Sequence, residues 1–497
     1  MHPRVMKRSV NANNPPSRRF TATLPGFRTV VDLALFAALT GCSDSSVDPP
    51  VEALPPSVLA VTLNDSVGPL LKRLSISLDI PGPVEVEYQA AASPRLRVVS
   101  PPDSLHDVLV ARLIPDAVYD YSVRAVSPTG EYGEPVHGTF TTDSLPTDLA
   151  AIQVSASGMP THQLTILEIR RDPAGGEQTF SGYVAIDPAG RVVWYWRSFG
   201  APHGWDRRSN GNFVFVYNNR VLEVSPDLEL ISELPSGVLP EGAQPHHDLA
   251  VTTSGTVLFL AKDLRMINDT TFRGEAVWEW DPDRATVEKR WAAFDFFPTD
   301  VYRAPRSRTR NFYHANGLSI GPRGNLVMSF HFQNMVFSVT SDFQSVEWML
   351  GGPTSTFGLD ASAVFSGQHR PTELSDDRVL MFDNGADRPD DQKYSRALEV
   401  KLDLPSGRAT HLWEFRATPD NYARGISSAE RFANGNTLVA FGLPAASQGG
   451  IGGPIEVFEV TRERAVLWRV VVGGGVPSMY RATSVVDIAG EIIVPED

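Results

Sequence analysis

Eleven histidines occur in the chain, and four of them precede a turn by eight or ten residues. His203, His247 and His369 each stand eight residues before a turn residue, Gly211, Gly255 and Asp377, and His314 stands ten before Gly324. His331 follows the apolar run after Gly324, and Asp383-Asn384-Gly385 follows the run after Asp377. Three chemistries use such a set. Neutral imidazole is a nucleophile near its ordinary pKa of about 6.5, and a ring N–H donates to an oxyanion. Clustered histidines also bind metal, but no carboxylate pattern accompanies these, and Asp248 is the only acid directly beside one of them. Recurring polar residues can instead bond neighbouring elements of a repeat.

The elements that must position them are short strands. Turn-flanked apolar runs recur at Ser209–Val216, Ser254–Leu260, Arg323–Ser329, Asp377–Phe382, Asn434–Ala440 and Ala489–Val494. The first five are followed by second pairs, and four of those end in Trp291, Trp348, Trp413 and Trp468. The repeat length of about 45 to 70 residues lies near that of propeller blades. The run at Gly490 lacks an outer partner and the pair Tyr183–Trp194 lacks an inner one, so joining them closes a ring. The expected fold is all-β, a six-bladed propeller over residues 165–497 with its last blade shared between the chain ends. In a blade, the start of strand one and the end of strand two share one mouth of the channel. Five histidines, or six with His246, therefore converge there, and Tyr480-Arg481 opens the last inner strand beside them.

The pieces His246-His247-Asp248-Leu249, Phe312-Tyr313-His314-Ala315-Asn316-Gly317, Gln368-His369-Arg370 with Phe382-Asp383-Asn384-Gly385, and Tyr480-Arg481-Ala482 resemble the bacterial arylsulfotransferase family. The resemblance covers roughly residues 150–497. It implies an exported six-bladed propeller behind a β-sandwich, moving a sulfuryl group from an aryl sulfate ester to a phenolic acceptor without the nucleotide sulfate donor. It places the nucleophile on His369, through a sulfo-histidine, and sulfate contacts on His247, His314 and Asn316. His246, Tyr480 and Arg481 join as substrate-binding candidates. One match fails: where the family has Arg in a Ser-x-Arg stretch, this chain reads Ser329-Phe330-His331. Arg is always charged and forked, whereas His is only partly protonated at neutral pH. His331 is read as a catalytic oxyanion donor in its place. Phe312, Tyr313, Phe330, Phe332 and Tyr480 are candidate walls for an aromatic substrate. No cofactor and no metal are expected. The alternatives are a propeller that binds an anionic or aromatic ligand without turnover, and a metal-dependent hydrolase or lyase.

The remainder of the chain adds an address and a spacer. Residues 1–41 carry Arg4, Lys7, Arg8, Arg18, Arg19 and Arg28 ahead of the apolar run Val30–Leu39, and Leu39-Thr40-Gly41-Cys42 follows. The order resembles a bacterial lipoprotein signal, with cleavage before Cys42, lipid on its sulfur and a place on an envelope membrane. Residues 42–56 read as a tether. Alternating runs over residues 57–145 predict a β-sandwich. Leu113–Tyr119 and Gly138–Thr142 resemble a fibronectin type III domain with Tyr119 as its corner tyrosine. That module is read as spacer or contact surface, which leaves a homodimer through it open. Cys42 is the one cysteine, so intramolecular disulfides and multi-cysteine zinc sites are excluded. A net charge of −14 argues against nucleic-acid partners.

Overall fold

The computed structural model describes residues 54–488 except 92, 171–179, 199, 268, 302–310, 376, 445–453 and 477. Cys42, the signal and most of the tether lie outside the described residues, as does the expected strand pair at Gly490. Ala53–Asp497 form one compact unit.

Six antiparallel sheets follow a small N-terminal one among the described residues. Sheet one is Pro202–Arg207, Phe213–Tyr217, Arg220–Val224 and Leu230–Glu233. Sheet two is Pro245–Val251, Val257–Ile267, Thr270–Asp281 and Thr286–Ala292. Sheet three is Ala315–Ile320, Leu326–Phe330, Met335–Val339 and Val346–Gly351. Sheet four is His369–Leu374, Arg378–Asp383, Arg396–Asp403 and Arg408–Phe415, with Gly358–Leu359 added in parallel at its outer edge. Sheet five is Ser428–Arg431, Thr437–Phe441, Ile455–Val460 and Val466–Val472, edged by Val154–Gly158. Sheet six joins Ser478–Val485 to Leu164–Arg170, Gly182–Ile186 and Val192–Arg197.

Each sheet's first strand packs on the first strand of the next, and Ser478–Val485 returns to Pro202–Arg207, which closes the ring of an all-β propeller. Second strands such as Phe213–Tyr217 are buried along their whole length. Flanking sheets cover both their faces, so they read as continuous apolar runs rather than alternating ones. Outer tryptophans stitch the ring: Trp194, Trp413 and Trp468 donate their indole N–H to Pro226, Arg462 and Pro188 carbonyls of the next sheet at 2.9, 2.7 and 2.8 Å. Closure differs in detail from the expectation. The C-terminal segment supplies one described strand of sheet six and the N-terminal segment three, because Leu164–Arg170 takes the second position.

The small sheet has five strands built around the 20-residue Leu71–Ala90. That strand pairs with Val58–Gly68 in its first half, with Val118–Ala125 in its second and with Leu96–Val110 along both. Register shifts around Gly82 let it bend, so the sheet coils over one core in the manner of a small sandwich. The Tyr119 hydroxyl accepts the Ile114 N–H at 2.9 Å. The sheet is docked on the propeller: Leu71 and Ala111 share a core with Trp194 and Phe213, and Arg197 clamps Asp148 at 2.6 and 2.8 Å.

Candidate active site

The innermost strands begin irregularly, and the irregularity aims the histidines. Register breaks fall between Pro202 and Trp205, Pro245 and Leu249, Ala315 and Gly317, His369 and Thr372, and Met479 and Ala482. His247, His314 and Arg370 sit at φ 58, 53 and 44, in the left-handed region that residues with a Cβ rarely enter. A bulge re-aims side chains that simple alternation would send elsewhere. Here five successive inner strands carry one, at the same end.

The result is an unbroken arc of rings across one mouth. Centroids run Tyr480 to His203 at 5.1 Å, His203 to His247 at 5.2 Å, His247 to His314 at 4.8 Å, His314 to His331 at 5.4 Å and His331 to His369 at 5.4 Å. All five histidines expected at the mouth meet there, with His246 behind His247, Nδ1 to Nδ1 at 2.7 Å.

His369 is the most tightly oriented. Asn384 donates its amide N–H to the Ala423 and Ile426 carbonyls at 2.8 and 3.1 Å, so its Oδ1, 2.7 Å from His369 Nδ1, accepts. The proton therefore sits on Nδ1 and the lone pair on Nε2, where the Ile426 N–H approaches at 3.1 Å. Ile426 and Ser427 hold left-handed φ of 48 and 89 to present that N–H. At the other end of the arc Arg170 donates to His203 Nδ1 at 2.8 Å and lies over the Tyr480 ring, 4.3 Å from its centroid.

Burial drives the imidazoles toward neutrality. His203, His247 and His369 are pushed well below the ordinary histidine range, by burial first and then by Arg170, His314 and His331 respectively. His314 is pushed down to about 3, again by burial and then by His331. At neutral pH these four are uncharged, and the permanent positive charge at the arc comes from Arg170. Among the described residues no group of three or more His, Cys, Asp or Glu side chains is arranged to hold a metal ion. A crevice of about 690 Å³ opens elsewhere, between the small sheet and the propeller, beside Tyr119, Arg112 and His162. It touches none of the arc.

A neutral, oriented imidazole inside a set of N–H donors and one arginine suits transfer of an anionic group. The sequence model of one family, arylsulfotransferase (ASST), matches residues 173–468. The chain belongs to the arylsulfotransferase family. Aryl sulfotransferase activity is the general function that goes with this membership. A search of curated proteins finds no match. Among solved structures, a protein of unknown function from Bacteroides caccae is similar at 12% identity and TM-score 0.43, over 65% of this chain and 98% of that one. Virginiamycin B lyase from Staphylococcus aureus is similar at 12% identity and TM-score 0.34, over 83% and 99%.

Several assignments taken from the arylsulfotransferase motifs acquire different roles in this geometry. Asn316 is fully buried; it donates to the Gln368 carbonyl at 2.8 Å and accepts from Ser329, so its amide holds the residue before His369 rather than facing a ligand. Arg481 is spent on a two-pronged pair with Asp248 at 2.6 and 2.7 Å, and Asp248 also accepts the Leu318 N–H at 2.9 Å. Asp248 thus pins sheets two, three and six together and makes no hydrogen bond to a histidine among the described residues. Tyr480 is buried with its ring in the arc, its hydroxyl lacks a hydrogen-bond partner among the described residues, and burial raises its pKa. Of the aromatic walls, Tyr313 and Phe330 are core packing, 4.7 Å apart, whereas Phe332 lies 4.8 Å from His314.

Arg170, Ile426, Lys262, Glu275 and Glu168 were not singled out by the motifs. Glu168 is fully buried, neither carboxyl oxygen has a hydrogen-bond partner among the described residues, and burial holds its pKa up at about 8. Arg170 and Glu168 carry a signal only in retrospect. They lie on the strand that completes sheet six, the one inner hairpin assembled from both chain ends.

Proposed function

We propose that the chain is a nucleotide-independent aryl sulfotransferase in which His369 carries the sulfuryl group between an aryl sulfate and a phenol. The observation that carries this reading is the set of hydrogen bonds around His369, which leaves a lone pair on Nε2 inside the arc. In the first half-reaction Nε2 attacks sulfur, the S–O bond to the leaving phenol breaks, and the phenolate departs to be protonated. In the second, the acceptor phenol oxygen attacks the same sulfur, loses its proton, and His369 leaves neutral. The two halves exchange one sulfuryl group and one proton, so atoms and charge balance. As sulfur bonds to Nε2, the Ile426 N–H is freed to donate to a sulfuryl oxygen, and His314, His331 and Arg170 supply further donors.

Incubation with p-nitrophenyl sulfate and phenol tests the reading. Release of p-nitrophenol should depend on phenol, and His369→Ala should abolish it while leaving the melting temperature within a few degrees of the parent. With donor alone, a mass increment of one SO₃ should map to the peptide containing His369. Release that ignores phenol, or an increment on another peptide, overturns it.

A further inference from the structure

We propose that Glu275, His246 and His247 form a proton relay that lends a proton to the departing phenolate and recovers it from the acceptor phenol; this rests on the sulfotransferase reading above. Group transfer between two phenols needs such a store, because the proton is taken in one half-reaction and returned in the other.

Sheet two differs from its neighbours in the length of its central hairpin. Val257–Ile267 and Thr270–Asp281 run 11 and 12 residues, against 5 for the corresponding strands of sheets one and three. Lys262 and Glu275 are cross-strand partners on that hairpin, Nζ to Oε1 at 3.3 Å. The other carboxylate oxygen, Oε2, lies 2.8 Å from His246 Nε2. Both atoms are buried; their contact has the distance of an ion pair without the alignment of a hydrogen bond, and neither has a hydrogen-bond partner among the described residues. His246 Nδ1 then meets His247 Nδ1 at 2.7 Å, and His247 faces His203 and His314. The line from carboxylate to arc is continuous. Burial alone would raise the Glu275 pKa, but Lys262 and His246 pull it down to about 2, so it stays ionised.

Two nitrogens facing each other at 2.7 Å require one proton between them. Burial and Lys262 lower the His246 pKa and Glu275 raises it. When His246 is protonated it carries both protons against Glu275, and its Nδ1–H donates to His247, whose proton is on Nε2. The leaving phenolate takes that Nε2 proton, and the His246 Nδ1 proton moves to His247 Nδ1. Both imidazoles are then neutral. The acceptor phenol gives its proton to His247 Nε2, the shared proton returns to His246, and the cycle closes with no net change. Glu275 and His246 touch no reacting atom and act as positioning and storage groups for His247.

The test is the dependence of rate on the leaving phenol. In a two-step exchange, kcat/KM for the donor reports the first half-reaction alone. Glu275→Gln keeps the size of the side chain and removes the charge that raises the His246 pKa against burial and Lys262. For phenyl sulfate, whose strongly basic phenolate needs a proton, kcat/KM should fall by about 10²-fold or more. For p-nitrophenyl sulfate, whose phenolate is stable, the fall should stay below about 10-fold. Glu275→Asp should recover part of the phenyl sulfate rate, and His246→Gln should reproduce the split should Glu275→Gln not fold. A parent that transfers from neither donor overturns the sulfotransferase reading and the relay with it. An active parent whose variants slow both donors by one factor overturns the relay alone.

Discussion

His331 is the residue at which this chain departs from the family motif, and its ring stands between those of His314 and His369 in the arc. Its ring lies 5.4 Å from both His314 and His369, on the three-residue turn that follows the second strand of sheet three. An arginine there would add a fixed charge and a forked donor between the two. His331→Arg should therefore raise kcat/KM for the anionic donor and hold it at alkaline pH. A second cation near His369 lowers the imidazole pKa further, so the acid limb of the profile should move to lower pH. His331→Ala should cost about 3 kcal/mol at the barrier, as loss of an oxyanion donor does. Rates equal to the parent in both variants, across the pH range, would make His331 a packing residue. The histidines were legible in the sequence because each keeps a distance from a turn on a repeated strand, and the repeat translates distance into position. Ile426 acts through its backbone, which no side-chain pattern can announce. Lys262 and Glu275 sit where one hairpin outgrows the repeat, so counting from turns passes over them.

At the scale of the strand, the same repeat builds a second set of polar contacts around the turns. Glu223, Glu279, Glu399 and Glu459 occupy equivalent places on third strands, opposite Val214, Leu258, Leu380 and Leu438. Each accepts from the turn-side residue of its own sheet: Asn212 at 2.7 Å, Thr256 at 2.6 Å, Arg378 at 3.1 Å and Asn436 at 2.7 Å. Glu399 also pairs with Arg431 and Arg462 of the next sheet, and Glu459 with His162 at 2.8 Å. These acids stand inside the Trp-Glu-Trp, Leu-Glu-Val and Phe-Glu-Val runs, where period-two alternation explains them as outward residues. Burial between sheets makes Glu223, Glu399 and Glu459 locks instead. Glu399→Ala leaves three guanidinium groups without their shared carboxylate and should lower stability by about 3–5 kcal/mol, read by denaturant unfolding. A change below about 1 kcal/mol would mean that solvent satisfies those arginines. The inner hairpins of sheets one to five were readable from their turns. The order of closure was not, because Leu164–Arg170 is too apolar and too far from a turn signal to be told from a loop edge.

At the scale of the molecule, the buried site imposes a pH dependence on the fold. Five histidines of the mouth, His203, His246, His247, His314 and His369, have pKa values lowered by burial, whereas the unfolded chain protonates them near 6.5. Below that pH the unfolded state binds more protons, so stability falls with acidification, by up to about 1.4 kcal/mol per pH unit for each group. Glu168 works in the opposite direction. Its carboxyl is held up at about 8 in the fold against an ordinary value of 4.5, so from there upward the folded state binds the extra proton and stability declines as pH rises toward 8. Between 4.5 and 6.5 five histidines outweigh one glutamate; above 6.5 the histidine contribution is complete and that of Glu168 continues. The melting temperature should therefore peak near pH 6.5, drop steeply toward pH 5 and slope gently toward pH 8. Glu168→Gln, neutral at every pH, should flatten the alkaline slope and make the drop from pH 6.5 toward 5 somewhat steeper, because nothing then opposes the histidines there. An alkaline slope that survives the substitution would assign it to another group, and a melting temperature flat between pH 5 and 6.5 would mean that the histidines of the mouth are hydrated and titrate in the fold as they do in the open chain.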